Sequence, residues 1–272
     1  MNHIPRFGAA GVLATLALLC AAPLSAYAAT PAPHLGTAAN FVVLGGAGVT
    51  CTASKVTGNV GSKLTVTKTP TCSIAGAVHQ GDSTAIGAFN AFLTAYTGLN
   101  ALHCDHNLTG QELGGMTLTP GVYCFNTTAD LTSGTLTLAG PSSGIWVFQV
   151  GTGITTGTTQ VVMAGGGRAC NVYWALGTTG TIGTDTKFQG NILAGTAVTF
   201  TGTNSSLKGR ALAKTAVTMT GTTISGCSGT VVKPPKPPRG DDDDENEDKD
   251  HHDDGDGHHH GNDDRGDHHR DN

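Results

Sequence analysis

Charge is scarce in this sequence, above all acidic charge ahead of the C-terminal tail. Charged residues make up 13% and aromatics 5% of the 272 residues, and the only acids before residue 229 are Asp82, Asp105, Glu112, Asp130 and Asp185. A polysaccharide-cleaving groove needs clustered carboxylates or bases. These five acids are spread along the chain and do not stack when the repeats described below are aligned, so an enzyme is not expected, nor a cofactor. Arg168, Lys187, Lys208, Arg210 and Lys214 read as solvated edge charges, and His79, His103 and His106 as loop-surface residues near the head of the coil. Long apolar runs are missing too. Beyond the first 28 residues nothing approaches the ~20 that a membrane span requires. No cysteine spacing resembles a zinc ribbon, and no nucleic-acid partner is expected.

What is abundant is glycine, with 40 residues, and threonine, a composition of short strands joined by tight turns. Residues 1–28 read as a signal peptide: Arg6 supplies positive charge, Val12 to Ala22 an apolar core, and Ala26-Tyr27-Ala28 a small-x-small cleavage site. The protein is therefore expected outside the cytoplasm, extracellular or periplasmic, with its domain at 29–228. Removal of the leader takes Cys20 with it and leaves Cys51, Cys72, Cys104, Cys124, Cys170 and Cys227. Six cysteines allow 15 pairings. Nearness along the chain favours 51–72, 104–124 and 170–227. The net charge of −5 averages two unlike parts, since fifteen of the twenty acids follow residue 228. Residues 229–240 form a Pro-rich linker and 241–272 an Asp/His-rich tail that cannot bury a core and is expected to be disordered. Its histidines, His258, His259 and His260 among them, offer donors for weak, polyvalent binding of divalent cations. Plain solvation is an equal reading.

Between residues 171 and 226 the chain repeats itself. Val172-Tyr173-Trp174-Ala175-Leu176 recurs as Ile192-Leu193-Ala194 and Ala211-Leu212-Ala213, each followed by a strand studded with threonine. Thr181, Thr199 and Thr218 mark steps of eighteen and nineteen residues, a solenoid period. One helix, about 82–97, interrupts the β pattern: Asp82 or Ser83 caps it, Ile86, Phe89, Leu93 and Tyr96 recur at helical spacing, Phe92 widens the stripe, and Gly98 closes it. Ile145 to Val150 and Val172 to Leu176 are apolar on both sides, so something must cover the outer side of that sheet. The helix is the amphipathic element available. The expected fold is mainly β, a coil with three short strands per turn and one α-helix packed along one face.

The segments Leu113-Gly-Gly-Met-Thr-Leu-Thr-Pro-Gly-Val-Tyr123, Cys170-Asn-Val-Tyr-Trp174, Phe188-Gln-Gly-Asn-Ile-Leu-Ala194 and Gly209-Arg-Ala-Leu-Ala213 resemble hallmark segments of the microbial ice-binding protein family. The resemblance runs in order from Leu35 to Cys227. It implies a secreted antifreeze protein with a discontinuous right-handed β-solenoid (β-helix) of triangular section, one long helix alongside, and ice or ordered water as its partner. A monomer is expected.

Two surfaces compete for that role. Strand alternation turns Val198, Phe200, Val217 and Met219 inward, which puts Thr199, Thr201, Thr218 and Thr220, with Thr181, on a favoured outer face. The rival face carries Thr184, Thr186, Thr203, Ser205 and Thr222. The family's Thr-Gly/Ala-x-Thr/Asn motif matches at Thr152-Gly-Ile-Thr155, Thr156-Gly-Thr-Thr159, Thr196-Ala-Val-Thr199, Thr201-Gly-Thr-Asn204, Thr215-Ala-Val-Thr218 and Thr220-Gly-Thr-Thr223, and does not choose between them. Asp185 and Lys187 hold their own hydration shells and weaken the rival face. The same scaffold also suits an extracellular adhesin or matrix protein that binds glycans or cells.

Overall fold

The computed structural model describes residues 32–227, so the expected leader, linker and tail, with His258, His259 and His260, lie outside the described residues. The N-terminal segment supplies β1 (Phe41–Gly45), β2 (Gly48–Thr52), β3 (Lys55–Thr57), β4 (Asn59–Ser62), β5 (Thr65–Lys68), β6 (Ser73–Ala75) and β7 (Val78–Gln80). The helix α1 (Ser83–Asn100) follows. Then come β8 (His106–Asn107), β9 (Thr117–Leu118), β10 (Gly121–Phe125), β11 (Ala129–Ala139), β12 (Trp146–Val150), β13 (Ile154–Ala164), β14 (Val172–Leu176) and β15 (Gly180–Ile182). Last among the described residues are β16 (Lys187–Ala194), β17 (Ala197–Phe200), β18 (Ser206–Ala213), β19 (Ala216–Thr220) and β20 (Thr223–Ser225).

All the strand pairs are parallel, and they form three ladders. Ladder one runs β8, β10, β12, β14, β16, β18, β1, β4, β7. Ladder two runs β11, β13, β15, β17, β19, β2, β5. Ladder three runs β9, β11, β13, β16, β18, β20, β3, β6. The long strands β11, β13, β16 and β18 bend round a corner and serve two ladders each. The stacking order is not the chain order. In every ladder the N-terminal strands dock onto the C-terminal ones, as when Val43 pairs with Ala211 and Thr50 with Thr218. The helix makes this possible. It carries the chain about 27 Å along ladder one, from the β7 end toward the β8 end, and the coil then winds back.

Between its exposed end strands β8 and β7, ladder one is buried on both sides, which explains its unbroken apolar runs. Inward, His106, Tyr123, Phe148 and Trp174 occupy the same register on successive strands and stack, with Phe148 and Trp174 centroids 3.8 Å apart. Outward, Leu44, Val122, Val147, Tyr173, Ala175, Leu193 and Leu212 pack against the helix. Asp82 caps α1, its carboxylate accepting from the Ala85 N–H at 2.7 Å. The helix runs past Gly98 to Asn100 because Leu99 is buried and Gln149 of β12 donates to the carbonyls of Leu99 and Leu102 at 2.8 and 2.9 Å. Its buried face is Ala85, Ala88, Phe89, Phe92, Ala95 and Leu99, whereas Ile86 is 39% exposed. The alanines let the helix axis approach the sheet closely, so the contact line is rotated from the stripe of large residues.

Among the described residues two disulfides form, Cys51–Cys72 and Cys104–Cys124. Cys170 and Cys227, the expected third pair, stand unbonded, with Arg210 Nη1 donating to the Cys227 sulfur at 3.2 Å. Among the described residues no helix is long and apolar enough to cross a membrane. His79 and His106 sit on β7 and β8, the opposite ends of ladder one, so the three histidines do not meet in one place. His79 instead pairs with Asp82 at 2.8 Å.

Candidate functional site

The outer side of ladder two presents one residue type in one line. Thr155, Thr181, Thr199, Thr218, Thr50 and Thr67 are successive cross-strand partners, and Asp130 ends the file. Neighbours in it lie about 4.8 Å apart. Thr50, Thr67 and Thr155 are exposed, and the three between them half-buried by their own neighbours. A second file follows two residues along each strand, about 6.6 Å away: Thr220 pairs with Thr52, and Thr201 and Thr69 continue the rows of Phe200 and Lys68. On the other side lie small residues, Thr179, Ala197, Ala216, Gly48 and Thr65. Beyond them a corner file is linked by backbone hydrogen bonds from Thr152 to Thr127, Thr178 to Thr152, Thr196 to Thr178, Thr215 to Thr196 and Ala47 to Thr215. Apart from Asp130 at the end of the central file, none of the positions in these files is charged.

The array stands on a filled inner side. Ile154, Ile182, Val198, Phe200, Val217, Met219, Val49 and Cys51 are buried beneath it, as strand alternation requires. The motif matches Thr152-Gly-Ile-Thr155, Thr196-Ala-Val-Thr199 and Thr215-Ala-Val-Thr218 each start in the corner file and end in the central one. The structure also brings in Thr50, Thr52, Thr67 and Thr69, which the repeat at 171–226 omits. Their signal was in the sequence: Val49-Thr50-Cys51-Thr52 and Val66-Thr67-Lys68-Thr69 share the Val-Thr-x-Thr pattern of Val198 to Thr201 and Val217 to Thr220.

The rival face does not hold as a surface. Thr186, Ser205 and Thr222 are buried at 0%, 2% and 2% exposure, as is Thr156 of the motif matches at 5%. The reason is a repeated corner. Ala53, Asp185, Asn204 and Gly221 occupy equivalent places with φ of 47°, 58°, 60° and 63°, a left-handed turn that sends the next side chain inward. There the hydroxyls satisfy the corner's own backbone: Thr186 donates to Gly157 O at 2.6 Å, Ser205 to Gly202 O at 3.0 Å, Thr222 to Ser205 O at 3.1 Å and Ser54 to Thr52 O at 2.8 Å. Asp185 and Asn204 are thus turn residues, tolerated where φ is positive. Thr184 and Thr203 remain exposed beside them, and Lys187 donates to Asn204 O at 2.6 Å. Ala53 is the one alanine at this position. Ala53→Gly is expected to stabilise the domain by about 0.5–1 kcal/mol by relieving the left-handed strain, seen as a higher midpoint in urea.

Two acids meet after all, since Glu112 and Asp130 are bridge partners. They do not make an acid–base pair. Burial raises the Glu112 carboxyl, but hydrogen bonds from the Thr132 hydroxyl and from the Gly114, Thr132 and Ser133 N–H groups outweigh it and hold it below its ordinary range. The group is ionised and spent on a turn.

The sequence and the fold match known proteins. Residues 33–225 match the family described as Ice-binding-like. The chain is 42% identical over 172 residues to an ice-binding protein of Nostoc sp. (strain HG1), covering 61% of this chain and 64% of that one. It is 35% identical over 224 residues to ice-binding protein K3-B1 of Typhula ishikariensis, covering 71% and 88%. A crystal structure of an ice-binding protein from the Antarctic ascomycete Antarctomyces psychrotrophicus superposes with a TM-score of 0.70 at 31% identity, covering 73% of this chain and 100% of that one. The match to the first of these relatives spans less than two thirds of its length. The chain belongs to the Ice-binding-like family.

Proposed function

We propose that this protein adsorbs to ice through the outer side of ladder two, with Thr155, Thr181, Thr199, Thr218, Thr50 and Thr67 at its centre and Thr201, Thr220 and Thr52 beside them. The observation that carries the reading is the six-threonine file in continuous register, with no charged residue among the six. β-Branched threonine has few rotamers, so the array loses little entropy on docking. Each hydroxyl anchors a water, and each methyl leaves its neighbouring water caged rather than tightly bound. A water layer ordered on this grid adds to a growing ice plane as a sheet. No bond is made or broken, so the reading needs neither a catalyst nor a cofactor. Export is part of the proposal, supported by the leader pattern and by two disulfides, which persist in oxidising compartments. So is a right-handed coil of triangular section, supported by three ladders joined through parallel crossovers. The test is thermal hysteresis and ice recrystallisation inhibition by the full chain and by residues 29–228. Activity in both is expected, and no effect on ice from either would sink the reading.

A further inference from the structure

Two thiols remain that the ice surface does not use. Cys170 precedes β14 and Cys227 follows β20, yet one pair of side chains holds both. Asn191, fully buried on β16, donates through Nδ2 to Cys170 O at 2.9 Å and Val172 O at 3.1 Å. Its Oδ1 accepts from Arg210 Nη1 at 2.9 Å and faces the Cys227 thiol at 3.7 Å. The Arg210 guanidinium also contacts the Cys227 sulfur at 3.2 Å and donates twice to Ala39 O, at 3.1 and 2.9 Å. Asn191 and Arg210 are themselves cross-strand partners. The two cysteines are therefore fixed side by side where the last turns of the coil meet the N-terminal segment, and both are partly exposed.

We infer that Cys170 and Cys227 form a thiol pair built to exchange with a low-molecular-weight disulfide and to close as a third crosslink. The two partners are unequal. A hydrogen bond from Cys227, with the charge of Arg210, outweighs burial and holds the Cys170 thiol down at about 7. The same hydrogen bond, together with burial, pushes the Cys227 thiol up. Cys170 is thus the attacking thiolate and Cys227 the resolving thiol. In the first step the Cys170 sulfur bonds to one sulfur of the small disulfide and expels the other as a thiolate. In the second, Cys227 gives up its proton and attacks the Cys170 sulfur, expelling the remaining small thiolate. Two protein thiols are oxidised, one disulfide is reduced to two thiols, and the two cysteine protons end on the leaving thiols. Oxidation pins the strands from β14 to β20 as one loop and is expected to raise Tm by about 5–10 °C.

The full chain, with Cys51–Cys72 and Cys104–Cys124 intact, is incubated with oxidised glutathione and followed by peptide mass mapping, which separates these sites from Cys20. The expected product is a Cys170–Cys227 crosslinked peptide, found at once if the exported protein is already oxidised. Cys227→Ser should stop with glutathione on Cys170, and Cys170→Ser should react at Cys227 at least about tenfold more slowly. Two thiols that stay free, two separate glutathione adducts on the parent, or equal rates for the two variants would overturn the assignment.

Discussion

Thr199→Tyr is expected to abolish most of the thermal hysteresis while leaving Tm almost unchanged. Thr199 stands inside the central file, with Thr181 on one side and Thr218 on the other. A phenol there projects above a surface whose neighbours lie about 4.8 Å away, so it lifts an ice plane off several threonines at once. The loss exceeds one residue's share because the water layer is common to the array. Folding does not suffer, since the side chain points outward and such changes usually cost within about 0.5 kcal/mol. Thr218→Tyr should behave alike. Thr50→Tyr is the sharper case, because Thr50 joins the file only through the docking of β2 on β19. It too should reduce hysteresis clearly, although it lies outside the repeat. Thr223→Tyr, exposed on ladder three, serves as the control and should leave activity intact. Hysteresis that survives Thr199→Tyr and Thr218→Tyr but falls with Thr223→Tyr would move the surface to ladder three.

How far the sequence alone could reach is visible in these same residues. Strand alternation is local, so Val198 and Val217 mark Thr199 and Thr218 as outward without any knowledge of the fold. Strand stacking is not local. That Thr50 lies beside Thr218 depends on the N-terminal strands closing onto the last turn of the coil, a contact across more than 150 residues. The corner failed for a different reason. Thr186, Ser205 and Thr222 look like surface threonines and serines on composition, but the left-handed residue before each reverses the alternation on which the outward reading rests. Ala53 hid that rule, because an alanine gives no hint of a positive φ. That Cys170 and Cys227 belong together could be expected from even counts and nearness. Asn191 and Arg210, which hold the two unbonded cysteines, announce nothing in the sequence.

Phe92→Ala is expected to be the most destabilising single change on the helix, at about 3–5 kcal/mol. Phe92 is fully buried in the outer core between Phe89 and Tyr96, with ring centroids 5.6 and 6.2 Å away. The backbone around it cannot collapse, because Gln149 ties the last turn of the helix to β12 and the Tyr96 hydroxyl donates to Leu176 O on β14 at 3.0 Å. The cavity therefore stays open. For a domain of this size the loss corresponds to a fall in Tm of roughly 10 °C, readable by calorimetry. Ile86→Ala should cost no more than about 0.5 kcal/mol, since Ile86 is 39% exposed, although the spacing of large residues ranks it with Phe89. Equal losses from the two variants would mean that the helix docks through its large-residue stripe instead. The helix packs against ladder one, whereas the threonine file is on ladder two. Phe92→Ala should consequently spare ice activity near 0 °C and lose it only where the domain unfolds.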